Sequence, residues 1–153
     1  MSFAHAVGLT TPPVEMTVER GRLRLFAQST GETDPVYTDV DAARRAGFPD
    51  LLVPPTYLFG VELEGPAPTG WLDELGVDLR ALLHGGQEFT YLSPVFAGDV
   101  VQARSTLVDT YEKKGGALKF LVRETEVTRA GEVVACLRTT LVVRELETAG
   151  ESR

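Results

Sequence analysis

Hydrophobic residues change their spacing midway along the chain, dividing it into a half of helices and loops and a half of strands. In the first half Val18, Leu23, Phe26 and Ala27 are spaced for one helix face. With Thr17 as N-cap, Glu19 in the first turn and Gly31 as terminator, they predict a helix from Thr17 to about Gln28, weakened somewhat by Gly21. Asp39 to Ala46, capped by Asp39 and ended by Gly47, predicts a second, shorter helix. After Pro54-Pro55 the run Thr56 to Leu63 is apolar nearly all round, which predicts a helix buried on every side with Pro in its first turn. Gly65 to Gly70 is rich in Pro and Gly and reads as a loop. Short helical turns are expected after it, around Trp71 to Leu75 and Asp78 to Leu83.

From Gly86 the period is two. Gln87 to Leu92 predicts a short strand, and Asp99 to Lys113, Ala117 to Arg129 and Glu132 to Glu145 predict three long ones. The turns Lys114-Gly115-Gly116 and Arg129-Ala130-Gly131 are short and contain Gly, so the long strands should form an antiparallel meander. In the last strand Val133, Ala135, Leu137, Leu141 and Val143 share one face, broken only by Thr139. The opposite face mixes Val134 and Val142 with Arg138, Thr140 and Arg144. The expectation is one α+β domain over residues 1–153, a long antiparallel sheet wrapped around one apolar helix, with 1–14 and 147–153 as irregular tails.

Composition narrows the function. A net charge of -7, with basic residues scattered, argues against nucleic acid as a partner. No apolar run approaches the roughly 18 residues of a membrane span, and the start lacks the charged and apolar regions of a signal peptide, so a cytoplasmic protein without a membrane partner is expected. Cys136, in the apolar stretch Val133 to Leu137, reads as an inert buried thiol. Together with His5 and His84 it shows no metal-ligand spacing, so neither metal nor cofactor is expected.

Particular residues carry a family resemblance. Phe26-Ala27-Gln28-Ser29-Thr30-Gly31-Glu32-Thr33-Asp34-Pro35-Val36-Tyr37-Thr38-Asp39 resembles the signature of the MaoC-like hydratases: Phe-Ala, a few residues, then Ser-Gly-Asp-x-Asn-Pro-x-His-x-Asp. Ala43, Gly47-Phe48 and Leu51-Leu52-Val53-Pro54-Pro55-Thr56 are similar to the loop entering the central helix of that family. Gly86-Gln87-Glu88-Phe89 and Pro94-Val95-Phe96-Ala97-Gly98-Asp99 resemble its first long strand and the turn after it. The likeness spans roughly residues 15 to 145. It is strongest to the fatty-acid-synthase-like dehydratase branch, found as the N-terminal half of double hot-dog hydratases and as the substrate-binding subunit of heterodimeric dehydratases. The resemblance implies a hot-dog fold and an acyl-CoA or acyl-carrier-protein thioester as ligand.

In such enzymes the motif Asp and His move protons, and a backbone N–H at a helix N-terminus polarises the thioester carbonyl. Alignment on Pro35 puts Glu32 at the Asp position, Asp34 at the Asn position and Tyr37 at the His position. A phenol with a reference pKa of about 10 is no substitute for an imidazole base, and the extra methylene of Glu32 shifts its charge by over ~1 Å. The resemblance therefore implies the acyl-binding subunit of an (R)-specific enoyl hydratase or 3-hydroxyacyl dehydratase of fatty acid metabolism. A second hot-dog chain, in a homodimer or a heterodimer, completes the site. Two alternatives stay open: a self-sufficient homodimeric hydratase or thioesterase using Glu32, Tyr37 and His84, and a binding module that holds an acyl thioester without turnover.

Each site candidate also has a plain structural role. Asp34 before Pro35 is a favoured turn opener, Glu32 could be a solvated charge, Tyr37 a packed ring and His84 a surface or capping residue. Pro54-Pro55-Thr56 could simply start a helix, although free N–H groups there suit a thioester oxygen. On the functional reading Leu52, Pro54, Thr56, Tyr57 and Phe59 shape an acyl tunnel whose polar mouth holds Asp34, Tyr37 and Gln87.

Overall fold

In the computed structural model, which describes residues 2–145, five strands form one antiparallel sheet: β1 (Val14–Thr17), β2 (Leu82–Tyr91), β3 (Val100–Lys113), β4 (Leu118–Arg129) and β5 (Glu132–Arg144). Their order is β1-β3-β4-β5-β2. The three long strands lie where the period of two puts them, to within one residue at each end. Ala130 and Gly131, with φ of 50° and 84°, make the two-residue turn from β4 to β5, both in the left-handed region that such a hairpin demands.

Alternation sorts the faces of β3, where Val101, Ala103, Ser105 and Leu107 are buried and their neighbours face out. Opposite them stand Leu121, Arg123, Thr125 and Val127 of β4, and Ala135, Leu137 and Thr139 of β5, all buried. Against this inner face lie helix α1 (Arg20–Thr30), through Leu23 and Ala27, and the segment Tyr57–Leu63, through Tyr57, Leu58 and Val61. Each fully buried Leu or Val contributes about 1.5–3 kcal/mol. A second apolar cluster joins Leu107 and Leu121 to Trp71 and Leu72 of helix α3 (Gly70–Glu74) and to Phe3 and Ala6 of the N-terminal stretch, which is thereby packed down. Helix α2 (Val40–Arg45) carries the expected cap, since Asp39 Oδ1 accepts from the backbone N–H groups of Asp41 and Ala42. No helix among the described residues is long and apolar enough to cross a membrane. The expected C-terminal tail, 147–153, lies outside the described residues.

Three expectations are corrected. Thr17 is not an N-cap. It pairs with Val100 as the last residue of β1, and the helix starts three residues later behind an extended Glu19. Four residues after Pro12-Pro13 are too few to show a period of two, which is why β1 is silent in the sequence. The segment entered from Pro54-Pro55 is a 3₁₀ rather than an α-helix, and it is not apolar inside: Glu62 is buried while Leu63 is 56% exposed. Finally, β2 begins at Leu82 rather than Gln87, because a bulge between His84 and Gly86 carries the ladder through the two glycines.

Gly85 is required by that bulge. A Cβ there would lie 2.7 Å from Val142 Cγ2 and 3.2 Å from the backbone oxygen of Thr140. Gly85→Ala is therefore expected to cost roughly 1–3 kcal/mol, read as a lower urea midpoint at unchanged m-value. An unaltered midpoint would show that β5 gives way freely.

Candidate functional site

The motif turn follows from the end of α1. Gly31 takes a left-handed φ of 71° that closes the helix, and the N–H of Glu32 returns to the carbonyl of Ala27 at 2.8 Å. The chain then turns on its own carboxylates. Glu32 Oε1 accepts from the N–H groups of Thr33 (2.9 Å) and Asp34 (3.1 Å), and Asp34 Oδ1 accepts from Val36 N–H at 3.0 Å to cap the 3₁₀ turn Pro35–Tyr37. Both side chains are thus engaged in shaping this turn. Tyr37, half-buried at its end, has its phenol pushed above the ordinary value by burial and then by the charges of Glu32 and Asp34, so it keeps its proton at neutral pH.

A cavity of about 330 Å³ opens beside Tyr37. Leu52, Val53, Pro55 and Leu58 line one side, and Tyr91 with Leu92, Ser93, Pro94 and Val95 lines the other. Leu52 N–H donates to Val36 O of the motif turn (3.1 Å), and Val53 N–H donates across to Val95 O (2.9 Å), which joins the two sides. Thr56, at a left-handed φ of 69°, aims its N–H at the hydroxyl of Tyr91, 2.9 Å away. Having accepted that bond, the Tyr91 hydroxyl retains its own proton for a ligand. Tyr91 is oriented by Phe89, stacked on it at 5.9 Å from the same face of β2.

Of the sequence candidates, Tyr37 and Leu52 line this cavity. Thr56 reaches its lining through Tyr91, and Pro54 is buried behind Pro55. Tyr57 points into the core, its ring edge-on to Phe26 at 5.3 Å, and its hydroxyl has no hydrogen-bond partner among the described residues. Phe59 packs on exposed His84 at 5.7 Å, and Gln87 accepts from Thr139 Oγ1 at 2.8 Å; none of these three lines the cavity. Tyr91 and the Ser93-Pro94 corner escaped the sequence reading. The signal was there, in aromatic residues two apart at the end of a strand, Phe89 and Tyr91, directly before a Ser-Pro break.

An antiparallel sheet laid over one buried helical segment, with a cavity at that segment's N-terminal end, defines a hot-dog domain. The sequence agrees: residues 5–137 match the FAS1-like, dehydratase domain region, and the chain belongs to that family. Among its relatives, a UPF0336 protein of Streptomyces avermitilis is 35% identical over 142 residues, covering 92% of this chain and 94% of the relative. A UPF0336 protein of Thermobifida fusca is 37% identical over 133 residues, 86% of each chain. Among solved structures, a chain of the HadBC (3R-hydroxyacyl-ACP dehydratase) complex of Mycobacterium tuberculosis superposes with a TM-score of 0.73 at 28% identity, covering 90% of this chain and 96% of that one. A MaoC-like dehydratase has the same fold with a TM-score of 0.83 at 21% identity, this chain matching 43% of it.

Proposed function

We propose that this chain is the acyl-thioester-binding subunit of an (R)-specific enoyl hydratase or 3-hydroxyacyl dehydratase, and that a second hot-dog chain supplies the Asp and His that move protons. One observation carries the reading: among the described residues, the cavity beside the motif turn presents hydroxyl donors, Tyr37 and Tyr91, but no imidazole or carboxylate lines it. Two phenols can donate hydrogen bonds to a thioester carbonyl, but they bring no imidazole or carboxylate to act as the base. The apolar wall of Leu52, Val53, Pro55 and Leu58 suits the acyl chain.

If Leu52 borders the acyl path, Leu52→Phe weakens long-chain acyl-CoA binding at least about tenfold, spares crotonyl-CoA and leaves the melting temperature in place. Equal loss for both ligands, or loss of folding, would mean that Leu52 is simply core.

The partner is expected at β2. This ten-residue strand is an edge of the sheet, exposes Leu83 (48%) and runs into Leu92 (60%), and its end lines the cavity. A long edge of this kind is normally covered, and a domain docked on it would face the site. Light scattering should accordingly give a mass of at least twice 16.6 kDa at micromolar concentration, whereas a 16.6 kDa species alone contradicts pairing.

A further inference from the structure

A second cavity, of about 300 Å³, lies at the other end of the 57–63 segment, and its floor is ionic. Glu62 and Arg123, 7% and 9% exposed, are hydrogen-bonded through Oε2 and Nη2. Thr125 Oγ1 donates to Glu62 Oε1 at 2.5 Å and so accepts from Ser105 Oγ at 2.7 Å. The guanidinium lies over the ring of Trp71, 5.1 Å from its centre, and its Nε has no acceptor among the described residues. Pro12, Pro13, Pro66, Ala67 and Trp71 form apolar walls above.

We infer that this cavity is a separate binding site for a small uncharged molecule with an apolar body and a carbonyl or similar hydrogen-bond acceptor at one end. The apolar walls include Pro12, Pro13 and Pro66, whose fixed φ limits what must be ordered when a ligand binds. The floor is already neutral, so a charged ligand would shed its hydration without finding a counter-ion. Arg123 nevertheless has a donor to spare on the cavity side, since its Nη1 makes no hydrogen bond among the described residues, and an incoming carbonyl supplies the acceptor. Glu74 at the rim further disfavours anions.

Trp71 is the only tryptophan of the chain and lines this cavity but not the first, so its fluorescence reports on this site alone. Titration of the full chain with 2-octanone should give a saturable change in Trp71 emission, in roughly the millimolar range or tighter. Octanoate, of matched size, should bind at least about tenfold more weakly. Arg123→Met should weaken the ketone, and Ala67→Phe, which plugs the mouth from an exposed loop position, should abolish its binding at unchanged melting temperature, so the test survives if the floor variant fails to fold. No saturable change, octanoate binding as tightly as the ketone, or ketone binding that persists in Ala67→Phe would each overturn the inference.

Discussion

Arg123→Met is expected to lower the unfolding free energy by about 3–5 kcal/mol at neutral pH, because it strands the carboxylate of Glu62 in the core with only Thr125 to bond it. Burial pulls the Arg123 guanidinium down to about 10, still well above neutral, so Arg123 keeps its charge in the working range. The cost belongs to the unpaired charge and not to the lost attraction alone. Replacing both members by apolar residues of similar size, Glu62→Leu with Arg123→Met, should therefore recover most of the loss, since a buried pair seldom outperforms good apolar packing. Urea denaturation of the two single variants and the double variant gives the coupling. A double variant as unstable as the sum of its parts would show that the two side chains act independently.

The second large effect is catalytic. Proton transfer by a positioned acid or base contributes about 100- to 10,000-fold, and the members of a dyad act as a unit. Enoyl-CoA hydration by this chain alone is therefore expected to lie about a thousandfold or more below that of its complex with a hot-dog chain carrying an intact Asp-x-Asn-Pro-x-His motif. Within such a complex Glu32→Gln should leave the turnover rate nearly unchanged, because Glu32 is engaged with Thr33 and Asp34 of its own turn. Tyr37→Phe removes one donor from the cavity, worth about 0.5–1.5 kcal/mol, and should raise KM by roughly two- to tenfold with little change in kcat. A fall in kcat of about a hundredfold for either variant would make that residue a proton-transfer group.

The three long strands and the turns between them were legible in the sequence because period-two alternation between glycine-bearing turns is a long, redundant signal. The errors fall where a short-range pattern yields to a tertiary contact. Thr17 and Glu19 look like a helix start, yet the pairing of Thr17 with Val100 holds the chain extended until Arg20. Gly85-Gly86 looks like a break, yet the first glycine is there to let β5 come close. At the site, the motif turn and Leu52 were readable through the family resemblance. Tyr91 was marked only by the aromatic pair at the end of its strand, since the fold alone brings its hydroxyl to Thr56, 35 residues away in sequence. The ionic floor could have been read in part: Arg123 shares parity with Leu121, Thr125 and Val127 on one inward face, and Glu62 is the sole charge in an apolar run. That they meet is a matter of topology.

Whether this chain holds an acyl thioester without moving protons is decided by crotonyl-CoA binding and crotonyl-CoA hydration measured on the same purified protein. Saturable binding, weakened by Tyr37→Phe, is expected, with negligible hydration until a chain bearing the intact motif is added. Hydration by the chain alone at about 1 per second or faster, lost on Glu32→Gln or on replacement of His84, would instead show that the chain moves protons itself.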